Sequence, residues 1–505
     1  MASLTDPQYG GSRLLTSVAD YAGLPLDQVN FVASQVAALL LAPLLRTHLH
    51  PSRASPENRQ AVCLAIGLSM AWFCFGQTVL VVSMLYLSLV HLYNQFINQN
   101  TISVDITAPL MVVTQKVTSL AFSLHDGSTD PQKLKPMQAY HAVKNLPSPL
   151  EFFSFALQFQ TMLAGPLVLY NDYKDFVAGT TLAKCRAGAP PSPTRAVLKK
   201  VFGSFACLFV FLWLVPTFPI TRVKEPEFLS GKGLPGQIIY LVVATSVVRL
   251  KYYHVWILAD AIANSSGLGL KAPSTPGQQP TWDLISNVDV MGFEMGLTLR
   301  DSVNEWNKGT STWLRLLVYE RATRMRTLQT YVLSALWHGF HPGYYLTFIS
   351  GALFTVAARS ARRCLRHHFL GSARYKHMYD CSTFLATRIL MGYVTFPFVL
   401  LELRPCIRIY SHMYWWYHLA AAAAIILLPR MVPPPPRNSE ATMARSKREV
   451  GGKLAATLED HEGNVELVAP PNMSPSVRRR HLLRDVVLAD SGKILKLHST
   501  ALVTE

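Results

Sequence analysis

The chain has 505 residues, of which 50% are hydrophobic and 15% charged, and its formal net charge is +17. A mean hydropathy of +0.21, with the apolar residues gathered into long blocks, excludes an ordinary soluble enzyme. Short alternating segments are absent, which excludes a membrane β-barrel and leaves helices to satisfy the backbone in hydrocarbon. The positive charge sits between the apolar blocks, as connections between spans require, so no nucleic-acid partner is expected.

In chain order, the polar start "MASLTDPQYGGSRLLTSVADYAGLPLDQ" has neither a basic region nor a small-residue cleavage site, and no cleaved signal peptide is read from it. A first span, "VNFVASQVAALLLAPLLRTHLH", ends at Arg46 and His48. The block from Ala61 to Tyr93 is long enough for more than one span, with a break at Phe75 to Gln77. "APLMVVTQKVTSLAFSL" carries Gln115 and Lys116 in its middle, so it either faces the protein interior or lies at the interface. "LEFFSFALQFQTMLAGPLVLYNDYKDFVAG" and "VFGSFACLFVFLWLVPTF" follow, separated by a Pro-rich basic connector. Residues 236–263 form a span interrupted by Arg249 and Lys251, which must line a cavity or snorkel.

Further spans are expected near 327–340, 343–358, 382–402 and 411–429, with the basic loop "ARSARRCLRHHFLGSARYKH" on the cytosolic side. The chain thus divides into a polar segment 1–23, a transmembrane domain 24–430 and a polar tail 431–505, expected to be disordered and cytosolic. The seven cysteines are dispersed, without a metal-type pair, so neither a disulfide framework nor a metal site is expected.

The chemistry-bearing residues lie in "EWNKGTSTWLRLLVYERATRMRTLQTYVLSALWHGFHPGYY". Asn307 and His338 stand 31 positions apart, which one straight helix would stretch to about 46 Å. The arginines of "RATRMR", residues 321–326, do not belong in hydrocarbon. A reversal there returns the chain, so that Asn307 and His338 reach similar depth. A histidine inside the membrane has two readings: a hydrogen-bonding link between helices, or chemistry. Gly339 beside it lets another group approach closely. His341, before Pro342, reads as an interfacial histidine. Trp306, Trp313 and Trp337 serve equally as interface anchors.

The stretches "WNKGTSTWLRLLVYER" and "SALWHGFHPGYYLTF" resemble the paired signature of the membrane-bound O-acyltransferase family. "LPLDQVNFV", "PLMVVTQKVTSLAFSLHDG", "KYYHVWILADAIANSSGLG" and "WDLISNVDV" are similar to its eukaryotic lysophospholipid acyltransferase branch, the one that includes membrane-bound O-acyltransferase domain-containing proteins 1 and 2. The likeness covers residues 24 to about 430. It departs between residues 76 and 108, where this chain is shorter by about one apolar segment.

The resemblance implies an all-α, multi-pass transmembrane bundle with a buried reaction chamber, in which His338 and Asn307 are the catalytic pair. It implies acyl transfer from acyl-coenzyme A, as co-substrate and with no other cofactor, to the free hydroxyl of a lysophospholipid. His338 is then the general base, with burial holding its ring neutral. Asn307 either stabilises the oxyanion or orients the hydroxyl. Lys308, Arg315, Arg321, Arg324 and Arg326 are candidates to attract the coenzyme A polyanion, and Trp313, Leu333 and Trp337 to line an acyl tunnel, with Trp306 beside them. The branch points to lysophosphatidylethanolamine or lysophosphatidylserine, unsaturated acyl donors and the endoplasmic reticulum membrane. Rival readings are a family member with a protein or sterol acceptor, and a transporter with a polar path through His338, Arg249 and Lys251. Oligomeric state is not readable from the residues.

Overall fold

The computed structural model describes residues 11–75, 107–185, 192–231, 233–273 and 278–435. Those residues are helical, and the only strand-like pairing among them is an isolated bridge between Lys271 and Thr281. The expectations for the second half of the 61–93 block, for the shortened stretch after residue 76 and for nearly all of the tail fall outside the described residues.

Contacts divide the chain into two units. One comprises residues 1–360 and 369–427, the other 361–368 and 428–505. The described part of the second unit is small: the end of a long helix, a tight turn in which the His367 and His368 rings lie 3.9 Å apart, and the helix Leu428–Met431. Everything that follows concerns the first unit.

Four described helices are long and apolar enough to cross a membrane: α1 (Leu26–Thr47), α5 (Thr194–Leu214), α6 (Leu234–Ser266) and α10 (Ala373–Leu400). Helix α5 is apolar on nearly every face, and Phe202, Phe209 and Trp213 remain at least 70% exposed on it. That is the pattern of a helix whose solvent is lipid. Helix α6 begins with Pro235 in its first turn and stops at Gly267, whose left-handed φ of 95° caps it. Helix α10 crosses α6 closely at Gly392, where a methyl group would come within 2.9 Å of Val242 Cα.

Helix α2 (Pro56–Phe75) reaches the edge of the described residues. The weak apolar block is α3 (Thr107–Gly127), and it faces inward, with Gln115 and Lys116 both buried. Lys116 is fully enclosed, and its Nζ donates to the carbonyls of Phe155 (3.0 Å) and Ala156 (3.2 Å) at the end of α4 (Pro149–Leu157). Those carbonyls lack helical partners, and a cation at that end also meets the negative pole of the helix. Helix α4 itself starts with a reciprocal cap: Ser148 Oγ accepts from Glu151 N–H, and the Glu151 carboxylate accepts from Ser148 N–H.

The block 150–179 is not one span. It folds as α4 and the short helices Phe159–Met162 and Tyr170–Ala178, with Gln158, Gln160 and Thr161 buried among them. These segments, α1 and the end of α6 share one core, built around Leu45, Phe155, Phe159, Tyr173 and Ile262. A second core joins the middle of α6 to α10 and to the helices that follow it through Tyr253, Phe293, Phe396 and Tyr410.

The two charges inside α6 behave differently. Arg249 is buried and forms a two-pronged pair with Glu294 (2.9 and 3.0 Å), which Tyr253 and Arg388 also contact. Lys251 is exposed, its ammonium 5.2 Å from the Tyr252 ring. All seven cysteines are free.

Candidate active site

Asn307 precedes the short helix α7 (Lys308–Leu314) and occupies the left-handed region, φ 46°. Asparagine tolerates that region better than most side chains. A neighbour holds it there: Asn287 accepts the Gly309 N–H on Oδ1 (2.9 Å) and donates from Nδ2 to Asn307 Oδ1 (3.2 Å). The Asn287 carbonyl also accepts the Lys308 N–H at 2.8 Å. A backbone N–H can only donate, so it settles which end of the Asn287 amide is oxygen. That in turn assigns oxygen to the atom of Asn307 facing Asn287. The Asn307 Nδ2 is left with no partner among the described residues.

Helix α7 continues as a wider π turn over Arg315–Tyr319, and the chain then reverses before α8 (Arg326–His338), with Met325 at φ 48°. The reversal expected at the arginine cluster is therefore present. Trp313 of α7 packs on Trp337 of α8, with ring centroids 5.7 Å apart. This pair belongs to a small apolar core with Leu167, Leu169, Leu316 and Leu317, and Leu333 packs against it. Both indoles are pinned to α3: Trp313 Nε1 donates to Thr118 Oγ1 (2.9 Å) and Trp337 Nε1 to the Met111 carbonyl (3.1 Å). Gln115 adds a bond to Thr310 Oγ1 at 2.8 Å.

His338 is the last residue of α8. Gly339 follows at φ 118° and ψ −167°, a backbone state open only to glycine, and turns the chain away so that the ring stands at a helix end. Helix α9 (Pro342–Leu365) and α10 complete its surroundings. The imidazole stacks on Phe348 (5.1 Å, 21°) and meets the edge of Phe398 at 4.9 Å, with Tyr344 at 5.5 Å and Trp337 at 4.6 Å. An aromatic wall drawn from three helices restricts the ring to few orientations, and the residue is half-buried rather than enclosed on every side.

Of the other residues singled out, Trp313, Trp337 and Leu333 come together, whereas Trp306 sits elsewhere. It packs among Tyr252, Tyr253, Trp256 and Phe293 in the second core. The basic residues are engaged: Lys308 with Glu305 (3.1 Å), Arg315 with Glu320 (2.7 Å) and Arg321 with both Asp126 oxygens (2.9 and 2.6 Å). Exposed Arg324 and Arg326 flank the reversal. Residue reasoning missed Asn287, Phe348 and Phe398. Asn287 lies within "WDLISNVDV", but no spacing links it to Asn307.

The family model for the membrane-bound O-acyltransferase family matches residues 91–396, which include every residue of this site except Phe398. Among relatives, lysophospholipid acyltransferase 6 of Drosophila melanogaster is 45% identical over 446 residues, covering 80% of this chain and 62% of the relative. This chain thus spans less than two thirds of that protein's length. Membrane-bound glycerophospholipid O-acyltransferase 2 of Mus musculus is 37% identical over 443 residues, covering 80% of this chain and 85% of the relative. Membrane-bound glycerophospholipid O-acyltransferase 1 of Homo sapiens is 36% identical, with 80% and 89% covered. By the family match and by these relatives, the chain belongs to the membrane-bound O-acyltransferase family.

Proposed function

We propose that this chain transfers an acyl group from acyl-coenzyme A to the free hydroxyl of a lysophospholipid, with His338 as general base and Asn307 as the oxyanion donor. The observation that carries the reading is the placement of His338: an ionisable ring at a helix end inside an aromatic enclosure, in a chain 45% identical to a protein named as a lysophospholipid acyltransferase.

The thioester is already activated, so no further cofactor is needed and the chain's task is proton transfer and positioning. His338 takes the hydroxyl proton as the oxygen attacks the thioester carbon. The partial negative charge at the end of α8 favours the cation formed in that step. The Nδ2 of Asn307, left available by the Asn287 clamp, donates to the thioester oxygen as it gains charge. The carbon–sulfur bond breaks, and the imidazolium proton passes to the departing thiolate. Transfer is direct, without an acyl-enzyme.

The acceptor class follows the relatives' names, and lysophosphatidylethanolamine or lysophosphatidylserine, with unsaturated donors, are the members proposed. Acyl-coenzyme A is cytosolic and phospholipid remodelling belongs to the endoplasmic reticulum, so that membrane is the proposed location.

The test is acyl transfer from oleoyl-coenzyme A in membranes holding the chain or His338→Ala at equal abundance, with a panel of lysophospholipids, a sterol and an acceptor peptide. His338→Ala should reduce transfer to background, a loss of at least about 10². Transfer to the sterol or peptide alone would replace the acceptor class. Equal rates in both proteins would remove His338 from the chemistry.

A further inference from the structure

The chain that leaves His338 runs directly into an apolar groove. Phe340, Pro342, Leu346, Ile349 and Leu403 line a largely apolar cavity of about 370 Å³, to which Tyr345 and Ser350 add the polar side chains. At about 30 Å³ for a water-sized group, it has room for about twelve groups of methylene size. Ile349 and Leu403 are roughly half exposed, at 51% and 48%, so the groove opens sideways.

The end of α10 ties this groove to the ring of His338. Phe398 touches the ring. The Gly343 N–H donates to the Leu401 carbonyl at 2.9 Å, and a methyl group on Gly343 would come within 2.1 Å of the Pro397 oxygen. Leu401, at φ 66°, then reverses the chain into α11 (Leu403–His412).

Helix α11 buries Cys406, Ile409 and Tyr410 and turns its charged residues outward. Its first turn contributes to two cavities at once. Leu403 lines the apolar groove, and Arg404 and Arg408 line a second cavity of about 180 Å³ with Val223, Lys224 and Pro405. Of the three cations there, Lys224 pairs with Glu402. Arg404 and Arg408 are exposed and have no partner among the described residues. An apolar slot beside unmatched guanidinium groups, on an amphipathic helix at a span end, complements one kind of molecule: a single fatty chain joined to a phosphate.

We infer that the groove and the basic cavity together seat the lysophospholipid, its chain along Leu346 and Ile349 and its phosphate on Arg404 and Arg408, before the hydroxyl reaches His338. The last step rests on the acyl-transfer reading, whereas the seat is a binding site in its own right.

The full chain in nanodiscs is exposed to lysophosphatidylethanolamine bearing a diazirine in its chain, and separately to a monoacylglycerol with the same chain and no phosphate. The lysolipid should label residues 340–350 and Leu403, the monoacylglycerol much less. The double variant Arg404→Gln/Arg408→Gln should cut lysolipid labelling about tenfold, and the corresponding lysine pair should restore most of it. In turnover the glutamine pair should raise KM for the lysolipid by a similar factor, with kcat and KM for acyl-coenzyme A within about twofold.

Equal labelling by both probes, or labelling indifferent to the arginines, would reduce the groove to an ordinary lipid-facing crevice and overturn the seat. A rise in KM for acyl-coenzyme A instead would assign the cations to the donor and overturn it equally. The expected labelling in a chain without transferase activity would uphold the seat and sink the acyl-transfer reading. Transfer without labelling would do the reverse.

Discussion

At the scale of single residues, the arrangement around Asn307 shows how one amide is oriented by another. Asn287 must present oxygen to the Gly309 N–H, so it presents its amine to Asn307, whose own amine stays available. Asn287 is a positioning residue in this scheme and touches no substrate. Its replacement by aspartate keeps the acceptor for Gly309 but removes the donor to Asn307. Asn287→Asp should therefore lower kcat about tenfold while KM for acyl-coenzyme A moves little. Asn307→Ala should cost the 10² to 10³, roughly, of a lost oxyanion donor. Initial-rate measurements on both variants decide this, and an Asn287→Asp enzyme with unchanged kcat would leave the clamp with a purely structural role. The motifs made His338 and Asn307 legible in the sequence. Asn287, Phe348 and Phe398 were not, because their relation to the pair exists only across helices. Trp306, adjacent to Asn307 in sequence, packs against a different core from Trp313 and Trp337, which the sequence does not show.

At the scale of elements, the reversal between α7 and α8 was readable because arginines cannot remain in hydrocarbon. The block 150–179 was not readable as three short helices. Its hydrophobicity suits a span, and only burial of Gln158, Gln160 and Thr161 against neighbouring helices makes the folded alternative possible. The sequence alone left α3 between two placements, and a contact decided it. Lys116 reaches the carbonyls of Phe155 and Ala156 at the end of α4. Lys116→Met keeps the volume but leaves these carbonyls unpaired, so thermal stability in detergent should fall by about 1–3 kcal/mol. A melting temperature equal to that of the parent would show that water or another donor replaces the ammonium.

At the scale of the whole molecule, stability should depend on pH through groups outside the spans. His141, in the polar connection after α3, is buried with an unpartnered Nδ1, and burial lowers its pKa to about 4 from an ordinary value of 6.5. The unfolded chain therefore binds a proton at this site between about pH 6.5 and 4 while the folded chain does not. Stability is lost as pH falls through that window, by on the order of 3 kcal/mol, and levels off below it. Melting curves from pH 7.5 to 4 should show the loss, and His141→Gln should flatten it; parallel curves for the two proteins would exclude His141 as its source.

Composition and apolar blocks by themselves determined that the chain is helical and membrane-embedded, because hydrocarbon leaves the backbone few ways to pair. The motifs determined the family and the pair on which chemistry is proposed. Tertiary structure alone decided which apolar stretches become long spans and which fold inward, what holds Asn307, and which aromatic side chains enclose His338. Those outcomes depend on contacts between residues far apart in sequence, such as Lys116 with Phe155 or His338 with Phe398, and the local pattern of apolar and charged residues does not encode them.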